Sequence, residues 1–288
     1  MPSLKKSHHY VPQFWMRGFA NSNNQLYAWD GSAIRTIAAK NIMQEPWLYT
    51  IFNWQWEPSD VLENGLSTLE GEVAPIFKAL TNPAYVASFD DRQLLSLFLG
   101  VQAARHPDVL GLGHRRGKDL ATLLASTHEF SDISEFATRL RSFGVSHAAA
   151  AAMYKYLKTV PVEQLQQQAT EIQAMSPQDP GLPIQDALRA YEIIANVILN
   201  MDWCILDAPV GLHFVLGDTP MPQDSLAKGF VIPLSKSVAL TTTPPSGVKN
   251  SISRRQATSG ETRVANRMQW ENAKNIVIGP DAATLQSV

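Results

Sequence analysis

The densest group of reactive side chains lies near the start of the chain, at His8, His9, Tyr10, Gln13 and Arg17. An imidazole near neutral pH serves as a general base or a metal ligand. A guanidinium holds a phosphate or carboxylate with two parallel hydrogen bonds. His9, Gln13 and Arg17 are spaced by four, so a helix beginning here would carry imidazole, amide and guanidinium in one row. The competing reading is that His8 and His9 only cap or pack at the helix start.

Three further groups could take part. Arg105-His106-Pro107 ends a helical pattern, where the helix dipole alone favours a cation; if that end is buried, Arg105 becomes an anion clamp. Asp218 follows an apolar strand within Gly217-Asp218-Thr219-Pro220, and either reaches a cleft as metal ligand or orienter, or closes an Asx-turn on its own backbone. Glu63 and Glu70, seven apart, share one helix face and offer a partner for Arg17 or Arg105. There is no Gly-rich phosphate loop, nucleophile elbow, zinc-protease motif or dinucleotide fingerprint. No cofactor is therefore named, although a divalent metal ion is compatible with a His/Asp site. Cys204 sits in an apolar strand pattern and reads as core.

The elements that must position these groups follow from periodicity. Pro12 suits the first turn of a short helix, and Asp30-Gly31 links two strand-like runs as a hairpin. The stretch "EPWLYTIFNWQWEP" reads as extended. Helical spacing runs from Ser59 to about Leu80, then from Asp90 or Asp91 to Arg105, through several shorter segments between Arg116 and Met175, and again from Ile184 to Ile198. Two loops are expected, Ser176–Pro183 and "TTTPPSGVKN". Short strands are expected at Asp202–Leu206, Phe214–Leu216, Gly229–Ile232, Val238–Thr243 and Asn275–Gly279, with a helix over Glu261–Ala273 before the last. The fold class is α+β and helix-rich: an N-terminal helix plus β-hairpin, a central helical bundle and a small C-terminal, mostly antiparallel sheet. One domain over 1–288 is expected, with the helical middle at about 59–200 and the β-rich end at about 201–288.

Composition narrows the classes. The chain has 288 residues, 24 Lys+Arg against 26 Asp+Glu, and a single cysteine. That excludes an intrachain disulfide framework, a Cys-rich zinc site and wholesale nucleic-acid-type basicity. No apolar run is long enough to span a bilayer and no secretory pattern opens the chain, so no membrane association and cytoplasmic residence are expected. Charge is uneven. Lys5, Lys6, Arg17, Arg35 and Lys40 make the start basic, Arg254, Arg255, Arg263 and Arg267 do so near the end, and the first long helix is acidic. A basic groove for nucleic acid or another anionic ligand, built from both ends, competes with ordinary solvated faces.

The string His9-Tyr10-Val11-Pro12-Gln13-Phe14-Trp15-Met16-Arg17-Gly18-Phe19 resembles the opening signature of the bacterial family called domain of unknown function 4238, with Met16 in the usual leucine place. Arg105…Pro107, Asp218-Thr219-Pro220, Pro233-Leu234-Ser235 and Asn266 match later family positions, so the resemblance covers nearly the whole chain. It implies a shared fold and carries no reaction with it. From the residues, two functions remain. One is a nuclease-like hydrolase of a phosphodiester or other anionic substrate, with His9 as general base, Asp218 as ligand or orienter, and Gln13, Arg17 and Arg105 binding substrate. The other is a non-catalytic protein that recognises an anionic ligand or a protein partner, in bacterial defence or toxin biology. Oligomeric state is not legible.

Overall fold

A computed structural model describes residues 5–46, 48–52, 58–107, 118–141, 143, 145–174, 182–222, 226–246 and 252–288. The fold is α+β. The chain opens on a short strand, β1 (Ser7–His9), and a five-residue helix, α1 (Gln13–Arg17). The hairpin β2 (Leu26–Trp29) and β3 (Ile34–Ile37) forms where the Asp-Gly signal places it. Gly31 takes φ +91°, and the Asp30 carboxylate accepts hydrogen bonds from the Ser32 and Ala33 N–H groups. After a 3-10 turn at Ala39–Asn41, β4 (Gln44–Pro46) returns to pair with β1. Two further short strands, β5 (Ile51–Phe52) and β6 (Pro58–Ser59), pair with each other.

The helical middle follows the apolar spacing. α2 (Val61–Leu80) buries Leu66, Val73, Ile76, Phe77 and Leu80 along one face. α3 (Phe89–Ala104) starts at a capping box in which Ser88 and Asp91 satisfy each other's backbone N–H. It then buries most of its circumference between α8 (Leu182–Leu199) and the rings of Phe14, Trp15 and Phe77, which meet Phe98. Gly100 permits that approach, since a Cβ there would stand 2.6 Å from the Tyr191 carbonyl oxygen. Between them lie α4 (118–125), α5 (Ile133–Arg141), α6 (His147–Leu157) and α7 (Val162–Ala174). Phe136, Ala137, Leu140, Ala150 and Tyr154 form a hydrophobic cluster separate from the main core.

The last third builds two sheets rather than one. β7 (Asp202–Asp207), β9 (Phe230–Ser235), β10 (Val238–Thr243) and β11 (Ile252–Gln256) form a sheet ordered β11-β7-β10-β9, antiparallel except for the β11–β7 pair. The second sheet, β3-β2-β12-β8, recruits the N-terminal hairpin. β12 (Val277–Gly279) lies between β2 and β8 (Leu216–Gly217). Two helices complete the chain, α9 (Ser259–Asn272) and α10 (Ala282–Gln286).

Three sequence expectations change. His8 and His9 lie on a strand, because their backbone pairs with Glu45 and Gln44 before Pro12 starts the helix. β11 was hidden by its charged Ser253-Arg254-Arg255-Gln256 run and is held by parallel pairing to β7. Leu182 and Pro183, expected in a loop, begin α8, where the missing proline N–H costs nothing. The remainder of that expected loop, 176–181, lies outside the described residues, as do 247–250 of "TTTPPSGVKN" and 47 and 53–57 of the aromatic stretch. Among the described residues no helix is long and apolar enough to cross a membrane.

Candidate functional site

An open cleft of about 640 Å³ lies where β1, α1, the 3-10 turn, β4 and α2 meet. Strand alternation explains its first wall. Ser7 and His9 share one face of β1 and line the cleft, while His8 turns inward and is 0 % exposed. The 3-10 turn contributes Lys40 and Asn41, and β4 contributes Gln44. α2 contributes Glu63, Ser67 and Glu70, one helical face at spacings of four and three. Lys5 and Gln13 complete the described lining, which contains no apolar side chain and no Phe, Tyr or Trp.

A rigid frame holds these walls. Trp15 packs on Phe77 and Phe98 and donates its indole N–H to the Pro233 carbonyl at 3.0 Å, anchoring α1 to β9. His8 accepts the Tyr49 N–H at Nδ1 (2.8 Å), so its Nε2–H donates to the Lys5 carbonyl at 2.9 Å. Arg105, 4 % exposed, uses its whole fork: Nε donates to Tyr10 O (3.0 Å), Nη2 to His9 O (2.7 Å) and Nη1 to Glu70 Oε1 (2.8 Å). Burial works against the Arg105 charge, but Tyr49, Glu70 and Glu63 outweigh it and raise the pKa.

Within the cleft, burial depresses the pKa of His9 below its usual 6.5, assisted by the Arg105 and Arg17 charges and opposed by the backbone of Lys40 and Ala39. The ring is therefore neutral at pH 7. Its Nε2 is enclosed and makes no hydrogen bond of good geometry, and its Nδ1 lies 3.5 Å from Gln13 Nε2. Gln13 Oε1 in turn accepts from Arg17 Nη2 at 2.8 Å. Glu63 moves the other way: burial raises its pKa above 4.5, although His8 and Lys5 pull it down. Lys5 stands 3.6 Å from Glu63 and donates to Ser67 at 3.2 Å. Lys40 makes no ion pair with any described residue.

The residues singled out from sequence are thus divided. His9 and Gln13 line the cleft. Arg17 joins them through Gln13, so the row survives although His9 is not helical. Arg105 lies behind the wall, and its anion is Glu70, one of the two partners expected for it. Asp218 does not join them. It is 0 % exposed and closes no turn of its own; its two oxygens accept the N–H groups of Lys274 (2.8 Å), Asn275 (2.9 Å) and Ile276 (3.2 Å), holding the approach to β12. Of the basic residues near the end, Arg254, Arg255 and Arg267 pair with Asp207, Glu261 and Glu271, and the lysines that line the cleft, Lys5 and Lys40, come from the first 40 residues. Among the described residues no three His, Cys, Asp or Glu side chains gather as a metal site.

Ser7, Asn41, Gln44 and Ser67 were not singled out from sequence, and Lys5 and Lys40 were named only within the basic run at the start. Ser67 was the one with a signal, since it fills the helical face between Glu63 and Glu70.

The motifs carried by the family resemblance connect in space. Tyr10 O accepts from Gln102 (2.7 Å) and Arg105, the Tyr10 ring meets His106 edge-on, and His106 Nε2 is 3.2 Å from Thr219 Oγ1. Asn266 bridges His213 O and Val215 N, and Gln269 bridges Pro220 O and Gly217 N. The molecule is thus an α+β protein with a cleft whose described lining is polar, beside a motif-built frame. The model of a family described as protein of unknown function (DUF4238) matches residues 7–283, and the chain belongs to that family. No curated protein and no solved structure matches the chain.

Proposed function

We propose that the cleft is the active site of a hydrolase acting on a phosphodiester or other small anionic substrate, with His9 as general base. One observation carries this reading: a neutral, half-buried imidazole and a carboxyl of raised pKa share a cleft lined only by polar side chains. A base kept unprotonated beside an acid that holds its proton more tightly is what acid–base chemistry needs. Water is the nucleophile. As its oxygen forms the bond to phosphorus, its proton passes to His9. The bond from phosphorus to the leaving oxygen breaks, and that oxygen takes the proton of Glu63. Solvent then returns the His9 proton to Glu63. Lys40, with no ion pair among the described residues, meets the substrate's negative charge, and Asn41 and Gln44 supply neutral hydrogen bonds. The absence of an aromatic platform in the described lining favours a backbone or sugar-phosphate group over a stacked base. Arg105 and Asp218 serve this reading as parts of the frame.

The test is hydrolysis of bis(p-nitrophenyl) phosphate and of short oligonucleotides by the full chain. His9→Ala should lower turnover at least about 10²-fold while leaving Tm nearly unchanged. Undiminished cleavage in that variant would remove His9 as base. Saturable binding of the diester with no turnover would favour the second reading, a protein that recognises an anionic ligand without cleaving it.

A further inference from the structure

We infer that Arg17, acting through Gln13, is a positioning residue that fixes the tautomer of His9, so that Nδ1 is the atom that accepts the proton. The inference rests on the hydrolase reading for its chemistry, but its geometry stands on two separate observations. The first is the orientation of the Gln13 amide. A guanidinium has donors only, so the Gln13 atom 2.8 Å from Arg17 Nη2 must be the carbonyl oxygen. The NH₂ end then faces His9 Nδ1 at 3.5 Å. A reversed amide would set NH₂ against the guanidinium, donor against donor. With a donor facing it, Nδ1 keeps its lone pair and the ring proton sits on Nε2.

The second observation is access. Nε2 is shut off from solvent and without a well-formed partner. A substrate proton cannot reach it. Nδ1 instead faces Gln13, which lines the cleft. The 3.5 Å contact is long for a hydrogen bond, so a substrate water displaces the amide from Nδ1 at little cost. On transfer, the water O–H bond breaks, the proton joins Nδ1, and the oxygen's electron pair goes to the electrophile. Arg17 itself is exposed and does not line the cleft, which separates it from the substrate clamp expected from its residue type.

The test is ¹⁵N NMR of the full chain labelled at histidine, with the His9 signals assigned by their loss in His9→Asn. In the wild type Nε2 should be protonated and Nδ1 bare in the more populated tautomer, because the amide donor faces Nδ1. Arg17→Ala frees the amide and should bring the two tautomers to comparable populations, and Arg17→Lys, which keeps a donor for Oε1, should restore the excess. Gln13→Glu should move the proton to Nδ1, because a carboxylate can only accept. With bis(p-nitrophenyl) phosphate, Arg17→Ala should lower kcat with little change in KM, whereas a substrate clamp would raise KM. A proton on Nδ1 in the wild type, or tautomer populations unmoved by Arg17→Ala and Gln13→Glu, would overturn the relay whatever the protein cleaves. The expected tautomers in a protein without turnover would uphold the relay and reject the hydrolase reading.

Discussion

The two ends of the molecule use the same residue types in opposite ways. At the β12 approach, Asp218 is fully buried and both oxygens are taken by three backbone N–H groups. At the cleft, His9 has an enclosed nitrogen without a well-formed partner and a second held by a long contact, and Lys40 has no ion pair among the described residues. A saturated polar group has spent its interactions on the fold; an under-satisfied one at a cleft is available to a ligand. Arg105 shows the rule within one site, since it touches the cleft's wall yet commits all three guanidinium nitrogens to the frame.

Substitutions can break or sharpen this contrast. The largest effect is expected from Arg105→Ala. It strips two carbonyls and Glu70 of their buried partner and should cost about 3–5 kcal/mol in urea unfolding. An unchanged unfolding midpoint with a raised KM would move Arg105 into the cleft's class. Asp218→Ala should cost about 3 kcal/mol by leaving three backbone donors unmet, and Asp218→Asn less, because one carbonyl oxygen remains. Glu63→Gln should lower turnover about 10²-fold with stability changed by less than about 1 kcal/mol. Lys40→Met should raise KM about tenfold and leave kcat and Tm alone.

The smallest effect is in pH dependence. Because the folded pKa of His9 lies below 6.5, the unfolded chain binds the proton more readily. Stability should therefore rise with pH through the window below 6.5, and His9→Ala should flatten that slope. Turnover needs His9 bare and Glu63 protonated. Its acidic limb should fall below pH 6.5 and its basic limb above pH 4.5. An acidic limb above pH 6.5 that persists in His9→Ala would contradict the assignment of that limb to His9.

Much of the fold was legible because period and capping act locally. Leu66, Val73 and Ile76 declare α2, Asp90 and Asp91 announce α3, and Asp30-Gly31 writes the hairpin. Long-range pairing was not legible. Nothing in Ser7-His8-His9 alternates in hydrophobicity, so its partnership with Gln44–Pro46 depends on the intervening turn. Likewise Val277–Gly279 gives no sign that its partner is the first hairpin.

The site divides in the same way. His9 and Gln13 stood out by type and spacing, and Glu63 and Glu70 by their common helical face. Lys5, Lys40 and Gln44 are ordinary polar residues until the β1–β4 pairing brings them beside α2. Asp218 and Arg105 attracted attention for their chemistry, and their burial decides that the chemistry serves the backbone.

The most direct test compares His9→Ala with Asp218→Asn, measuring Tm and diester turnover per folded molecule on both. The account predicts a double dissociation: His9→Ala keeps Tm and loses turnover, and Asp218→Asn loses Tm and keeps the turnover of its folded fraction. Loss of turnover in folded Asp218→Asn, with His9→Ala still active, would contradict it.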